Sequence, residues 1–164
     1  KQPQTVMTFV ENHDLRDAGL PIVNDKLLAY SYILTHEGYP CVFWHDYFNL
    51  DLALDGTPHG IAALVNAHEQ YVGGNTEVLY VDDNLYIMQR TGFEDQPGLI
   101  YVLNNRGDNW NGRTVTTKFI NASFQPVAWW SGTDRARPIN QPTDRDGRAQ
   151  FYAPPRGYAV YAVK

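Results

Sequence analysis

The residue pattern changes at Gly73-Gly74-Asn75, and that change limits the folds open to this chain more than any other feature. Upstream, strand-like runs alternate with helix-like ones, as in α/β layouts. Residues 6–10 are rich in β-branched and aromatic side chains and read as a buried strand. Asp25 is placed to cap a helix reaching about His36, with Leu27, Tyr30 and Leu34 on one face. Gly38 stops that helix and Pro40 follows it. Cys41-Val42-Phe43-Trp44 reads as a second short strand. Thr57 as N-cap and Pro58 at the first helical position open another helix, striped by Ile61, Leu64, Val65 and His68. Downstream the pattern is all β, with strands expected over 77–81, 85–90, 99–103, 114–120, 127–130, 149–152 and 158–163. Turn signals such as Asp82-Asp83-Asn84 and Pro154-Pro155-Arg156-Gly157 separate them. Short strands so punctuated predict an antiparallel β-sandwich. The expected organisation is therefore α/β followed by all-β, in two domains, 1–74 and 75–164.

Loop lengths add to the upstream reading. The strand-to-helix connections, 11–24 and 45–56, are long and polar, while the return at 37–40 is short. A TIM barrel has that asymmetry, with elaborate loops at the carboxyl ends of its strands. Hydrophobic content of 43% is enough for a packed core. A net charge of −5 argues against nucleic acid or an anionic membrane as partner, since both demand clustered Lys and Arg. No apolar run approaches the roughly 18 residues of a membrane span. Cys41 is alone, so no intramolecular disulfide forms, and its apolar surroundings predict a buried, inert thiol. Lys1-Gln2-Pro3-Gln4 leads straight into the first strand without a starting Met or signal-like segment, which reads as a fragment of a longer chain.

The chemistry concentrates at Thr8-Phe9-Val10-Glu11-Asn12-His13-Asp14, an apolar run that ends in consecutive hydrogen-bonding side chains. In α/β architectures the carboxyl end of a strand is where ligands sit. The run resembles Phe-Val-x-Asn-His-Asp, the last signature motif of the α-amylase family of glycoside hydrolases. Residues 28–44 resemble the segment linking that family's last two barrel strands, through the pattern A-Y-x-x-I-L-T-x-x-G-x-P-x-[VI]-F-[YW]. Val127-Ala128-Trp129-Trp130, Asp146-Gly147-Arg148-Ala149-Gln150-Phe151 and Tyr158-Ala159-Val160-Tyr161 look like the end of its C-terminal β domain. The likeness is strong over 5–48 and weaker but collinear beyond.

The resemblance implies the last two strand–helix units of a (β/α)8 barrel followed by an antiparallel β domain. It implies retaining hydrolysis of α-1,4-glucosidic bonds, with starch or a maltooligosaccharide as substrate. Asp14 matches the family carboxylate that stabilises the transition state, His13 the histidine that binds the same sugar, and Asn12 a residue holding the strand end in shape. His45 and Asp46 follow the second strand and are expected on the same rim. The nucleophile motif Gly-[Phe/Tyr]-Arg-x-Asp and the strand bearing the general acid do not occur here. The chain alone is therefore expected to be inactive, its missing barrel portion supplied by an N-terminal segment or by self-association. No cofactor is evident, although the family leaves room for calcium in the intact enzyme, with Asp82-Asp83 a peripheral candidate. The sequence itself does not fix a location, and the resemblance implies an extracellular or periplasmic one.

Other readings stand beside this one. A metallophosphoesterase also uses Asn-His-Asp, but its Asp-x-His and Gly-Asp-x-x-Asp runs are absent. His36 is expected at a helix C-terminus, where positive charge is favourable, and His59 and His68 on a helix surface or in packing. Trp110 and the outward member of Trp129-Trp130 are candidates for stacking on sugar, because strand neighbours face opposite ways. Asn121-Ala122-Ser123 is a glycosylation sequon. The rival to a hydrolase is a non-catalytic carbohydrate-binding or scaffold module of amylase ancestry.

Overall fold

The computed structural model describes residues 5–134 and 136–164. The run Lys1-Gln2-Pro3-Gln4, read above as leading into the first strand, lies outside them. Strand β1 (Met7–Phe9) pairs in parallel with β2 (Tyr39–Cys41), Met7 opposite Tyr39 and Phe9 opposite Cys41. Helices α1 (His13–Asp17) and α2 (Lys26–Ile33) lie between them in sequence, as a parallel pair requires a crossover. Gly38 makes the return possible. Its φ is +122°, and a Cβ there would stand 2.8 Å from the Val6 carbonyl oxygen.

Several local expectations shift. Asp25 sits at the start of α2 with φ 59° and makes no side-chain cap, because Arg156 takes its carboxylate through Nη2 at 2.7 Å. Helix α3 runs Ile61–Tyr71 from Gly60 and does not begin at Thr57. The Thr57 hydroxyl closes a turn onto the Leu54 carbonyl instead, and Gly60 presses so close to Ala53 that no side chain fits. Cys41 is exposed, not buried. The parallel sheet has only two strands among the described residues, so outward positions Met7, Phe9 and Tyr39 are likewise open to solvent.

Downstream come β3 (Thr76–Val81), β4 (Leu85–Arg90), β5 (Leu99–Asn104), β6 (Asn111–Thr116), β7 (Ser123–Ser131), β8 (Gln141–Pro142), β9 (Arg148–Ala153) and β10 (Gly157–Val163). Six of them form one antiparallel sheet in the order β3-β4-β5-β10-β7-β8, while β6 and β9 pair separately. Strand β8 escaped the sequence reading because two residues, one a proline, carry no periodic signal.

The large sheet is covered on both faces, which explains its near-continuous apolar strands. Along β5, Leu99 and Tyr101 face α2 and α3, while Ile100 and Val102 face the β6–β9 pair. Along β10, Tyr158 and Val160 alternate with Ala159 and Tyr161 in the same way. Arg90 ties the helices down further, donating to the carbonyls of Thr35 and Gly74 at the ends of α2 and α3. On the far face Phe151 meets Phe124 and Tyr161 edge-on, at 5.4 and 5.2 Å between centroids. The Tyr161 hydroxyl donates to the Tyr152 carbonyl at 2.8 Å. Tyr161→Phe should therefore lower unfolding free energy by about 1 kcal/mol, read from the shift in a urea midpoint.

Candidate functional site at the end of the first strand

Beyond β1 the chain dips inward, burying Val10 and Glu11, then turns out again. Asn12 makes that turn. Its backbone is extended, and its side-chain oxygen accepts the Leu15 amide at 2.9 Å, capping α1. The cap sets His13 and Asp14 on the first turn of α1, facing solvent. Their side chains are 71% and 81% exposed, with Nε2 and Oδ1 3.2 Å apart. An open carboxylate beside an imidazole can accept from and donate to vicinal hydroxyls of one ligand.

The segment after β2 behaves differently. His45 and Asp46 open a wide helical turn, His45–Asn49. His45 is half-buried, stacks on Phe43 and leaves Nδ1 enclosed without a hydrogen bond among the described residues. Asp46 is fully enclosed and does not reach the rim. Its Oδ1 meets Lys26 Nζ and its Oδ2 accepts the Tyr30 hydroxyl at 2.8 Å. Tyr30 in turn accepts the Phe43 amide at 3.2 Å. Lys26 also donates to Glu11 at 2.7 Å, and Glu11 accepts the Ile22 amide at 2.9 Å.

A buried ionic clasp, Glu11–Lys26–Asp46, therefore joins the two strand ends beneath the His13–Asp14 pair. Sequence reasoning missed Glu11, Lys26 and Tyr30. The available signal was a charged residue placed between an apolar strand and a polar run. Burial works to raise the Glu11 carboxyl, but Lys26, the Ile22 amide and the charge of His45 hold it below the ordinary glutamate value. Burial likewise works to lower Lys26, and the two carboxylates outweigh it to raise the ammonium. Glu11, with its depressed value, stabilises the fold fully above pH 4.5, and that contribution fades as pH falls through the lowered value. Glu11→Gln should flatten this acid limb in a circular-dichroism titration.

The remaining candidates are structural. His36 does sit at the end of α2, its Nδ1 on the Tyr32 carbonyl at 2.8 Å, and there it stacks on Tyr32 at 3.8 Å and bonds the Tyr86 hydroxyl at 2.9 Å. Burial keeps its imidazole below the usual value. His59 and His68 bond the Trp129 and Leu34 carbonyls. Trp129 packs toward the β6–β9 pair and Trp130 toward the helices, so this strand has no uncovered face. Asp82 turns its carboxylate onto the Asn84 and Leu85 amides and the Tyr80 hydroxyl. Asn121 is exposed at φ 51°. Among the described residues no group of three or more His, Cys, Asp or Glu could hold a metal ion, and no helix is long and apolar enough to cross a membrane.

An antiparallel sheet packed between helices and a strand pair, following a βαβ element, defines a β-rich domain joined to an α/β segment. Comparison with known proteins narrows that class. Residues 99–162 match the α-amylase C-terminal family. An α-amylase of Geobacillus stearothermophilus is 38% identical over 104 residues, covering 59% of this chain and 19% of that enzyme. The solved α-amylase of Malbranchea cinnamomea superposes with a TM-score of 0.69 at 18% identity, over 98% of this chain and 37% of that one. AmyP in complex with maltotriose superposes at 0.61 with 10% identity, over 96% and 41%. Residues 99–162 therefore match an α-amylase C-terminal region, and the chain as a whole is similar to α-amylases. It spans about a fifth of the Geobacillus enzyme and just over a third of the Malbranchea one.

Proposed function

We propose that this chain is the carboxyl-terminal part of a retaining α-amylase that hydrolyses internal α-1,4-glucosidic bonds of starch-like glucans. In this reading residues 1–74 are the last two strand–helix units of a (β/α)8 barrel, and 75–164 are the C-terminal β domain. The observation that carries it is the exposed His13–Asp14 pair, held at the carboxyl end of β1 by the Asn12 cap. Barrel enzymes place their chemistry at that end of their strands. The solvent-facing Met7, Phe9 and Tyr39 fit strands that other barrel strands would flank.

Retaining hydrolysis needs a nucleophilic carboxylate and an acid–base carboxylate on either side of the bond. Asp14 fills neither role. Its open oxygens suit the hydroxyls of the sugar ring that flattens as the glycosidic bond breaks, and its charge favours the oxocarbenium character that develops there. His13 would orient the same sugar. His45 is left near the rim, while Asp46 would act through Lys26 and Tyr30 by fixing the strand ends. Of the peripheral calcium candidates Asp82-Asp83, Asp82 spends its carboxylate on the Asn84 and Leu85 amides and the Tyr80 hydroxyl.

The test is reducing-end release from soluble starch. A protein joining the preceding barrel to this chain should turn over, and the chain alone should not. Turnover by the isolated chain, abolished by Asp14→Ala, would overturn the proposed division of labour.

A further inference from the structure

One turn of the β domain reaches across to the segment beneath the rim. It is the connection 154–156 between β9 and β10, and the large sheet holds it in place. The enclosed Asn104 side chain donates to the Pro154 carbonyl at 3.0 Å, and the enclosed Ser131 hydroxyl donates to the Pro155 carbonyl at 2.5 Å. Arg156 follows with φ 43°, a left-handed conformation that long side chains rarely adopt, and its amide donates to the Arg106 carbonyl at 2.6 Å. From there the guanidinium grips the Asp25 carboxylate at two points, Nη2 to Oδ2 at 2.7 Å and Nε to Oδ1 at 3.3 Å. Nη1 donates to Asn105 Oδ1 at 2.6 Å, which fixes the plane of the fork. Asp25 is itself left-handed, at φ 59°. Two non-glycine residues, 131 apart in sequence, thus each hold a disfavoured backbone where they meet.

Asp25 is the last residue before α2. Its carbonyl accepts the Leu28 and Ala29 amides, so where Asp25 stands decides where the helix begins. The next residue is Lys26, whose ammonium joins Glu11 to Asp46. Glu11 in turn precedes the Asn12 turn that presents His13 and Asp14. A continuous path of bonds therefore runs from Arg156 through Asp25, Lys26 and Glu11 to Asp14, partly along the backbone. Its first link contributes little to global stability, because the Arg156 and Asp25 side chains are 47% and 32% exposed and water screens their attraction. What the planar, two-point contact supplies is direction.

We infer that Arg156 is a positioning residue for the rim: the β9–β10 turn, acting through Asp25 and Lys26, sets where Asp14 stands relative to the substrate. The inference rests on the hydrolase reading above and gives the β domain a part in the reaction. Arg156 touches no substrate. A small displacement of Asp14 is enough to register, since turnover is steep in the placement of a charged group.

The experiment uses the protein that joins the preceding barrel to this chain, with reducing-end release from soluble starch and amide exchange followed side by side. Arg156→Gln and Asp25→Asn should each lower kcat about tenfold, leave KM within about threefold and keep the urea midpoint close to wild type. Arg156→Lys keeps the charge but loses the fork, and should recover only part of the turnover. The double variant should also lose about tenfold, because both changes cut one link, whereas independent effects would multiply to about a hundredfold. In an Asp14→Asn background, Arg156→Gln should change kcat by less than about twofold, which a general loosening of the fold does not give. Leu15 amide exchange should quicken in each single variant. Unchanged kcat in folded Arg156→Gln and Asp25→Asn proteins overturns the inference, and so does a hundredfold loss in the double variant. Quickened Leu15 exchange in a barrel-containing protein that never hydrolyses starch supports the link between turn and rim and sinks the hydrolase reading.

Discussion

Asp14→Asn in a protein joining the barrel to this chain should lower kcat on soluble starch about a thousandfold, with little change in stability. The stability half follows from position. Asp14 is 81% exposed at the side chain, and its contact with His13 lies on the surface, where it is worth little to the fold. The kinetic half follows from charge. The asparagine amide keeps the size and one acceptor oxygen but loses the negative charge that favours an oxocarbenium-like sugar. Removing one preorganised electrostatic partner of a transition state typically costs a hundred- to a thousandfold, about 3–4 kcal/mol. An interaction strengthened in the transition state lowers kcat and kcat/KM together, so KM should stay within a few fold. His13→Ala should act mainly through KM, because the imidazole orients the ground-state sugar as well. A folded Asp14→Asn enzyme keeping a tenth of its turnover would remove Asp14 from the chemistry.

The exposed His13–Asp14 pair and its capping asparagine were legible because they are adjacent in sequence and end a β-branched run. The order of elements was legible too, since the period changes from helical to alternating near Gly73 and is never restored. Partners distant in sequence were not. Asp25 looks like a helix cap until Arg156, 131 residues on, takes its carboxylate. Thr57-Pro58 looks like a helix start until the Thr57 hydroxyl is spent on Leu54. Asp46 looks like a rim residue because it follows His45, yet a helical turn points it under the surface toward Lys26. At Asp25 and Asp46 local chemistry was read correctly and a tertiary partner redirected it, whereas at Thr57 the competing partner lies only three residues back.

Lys26→Met should be the most damaging single change to the fold among the rim's supporting residues, lowering unfolding free energy by about 3–5 kcal/mol. Lys26 is 10% exposed at its side chain, between Glu11 at 2% and Asp46 at 0%. Removing the ammonium leaves two enclosed carboxyl groups without a counter-charge, and each must hold its charge at a desolvation penalty or take up a proton. That choice gives the variant a distinctive pH response. In the wild type the depressed Glu11 value makes acidification below pH 4.5 destabilising. In Lys26→Met, burial acts on the same carboxyl without its main opposing charge, so its folded value should rise above the unfolded one. The sign then inverts, and stability should increase as pH falls from 7 toward 5. Adding Glu11→Gln and Asp46→Asn should recover much of the loss at pH 7, because the uncompensated charges disappear. The clasp joins the ends of β1 and β2, so the same variant should also loosen the Asn12 turn above it, read as faster amide exchange at Leu15. A Lys26→Met protein within 1 kcal/mol of wild type, with an unchanged acid limb, would show that the clasp does not hold the rim.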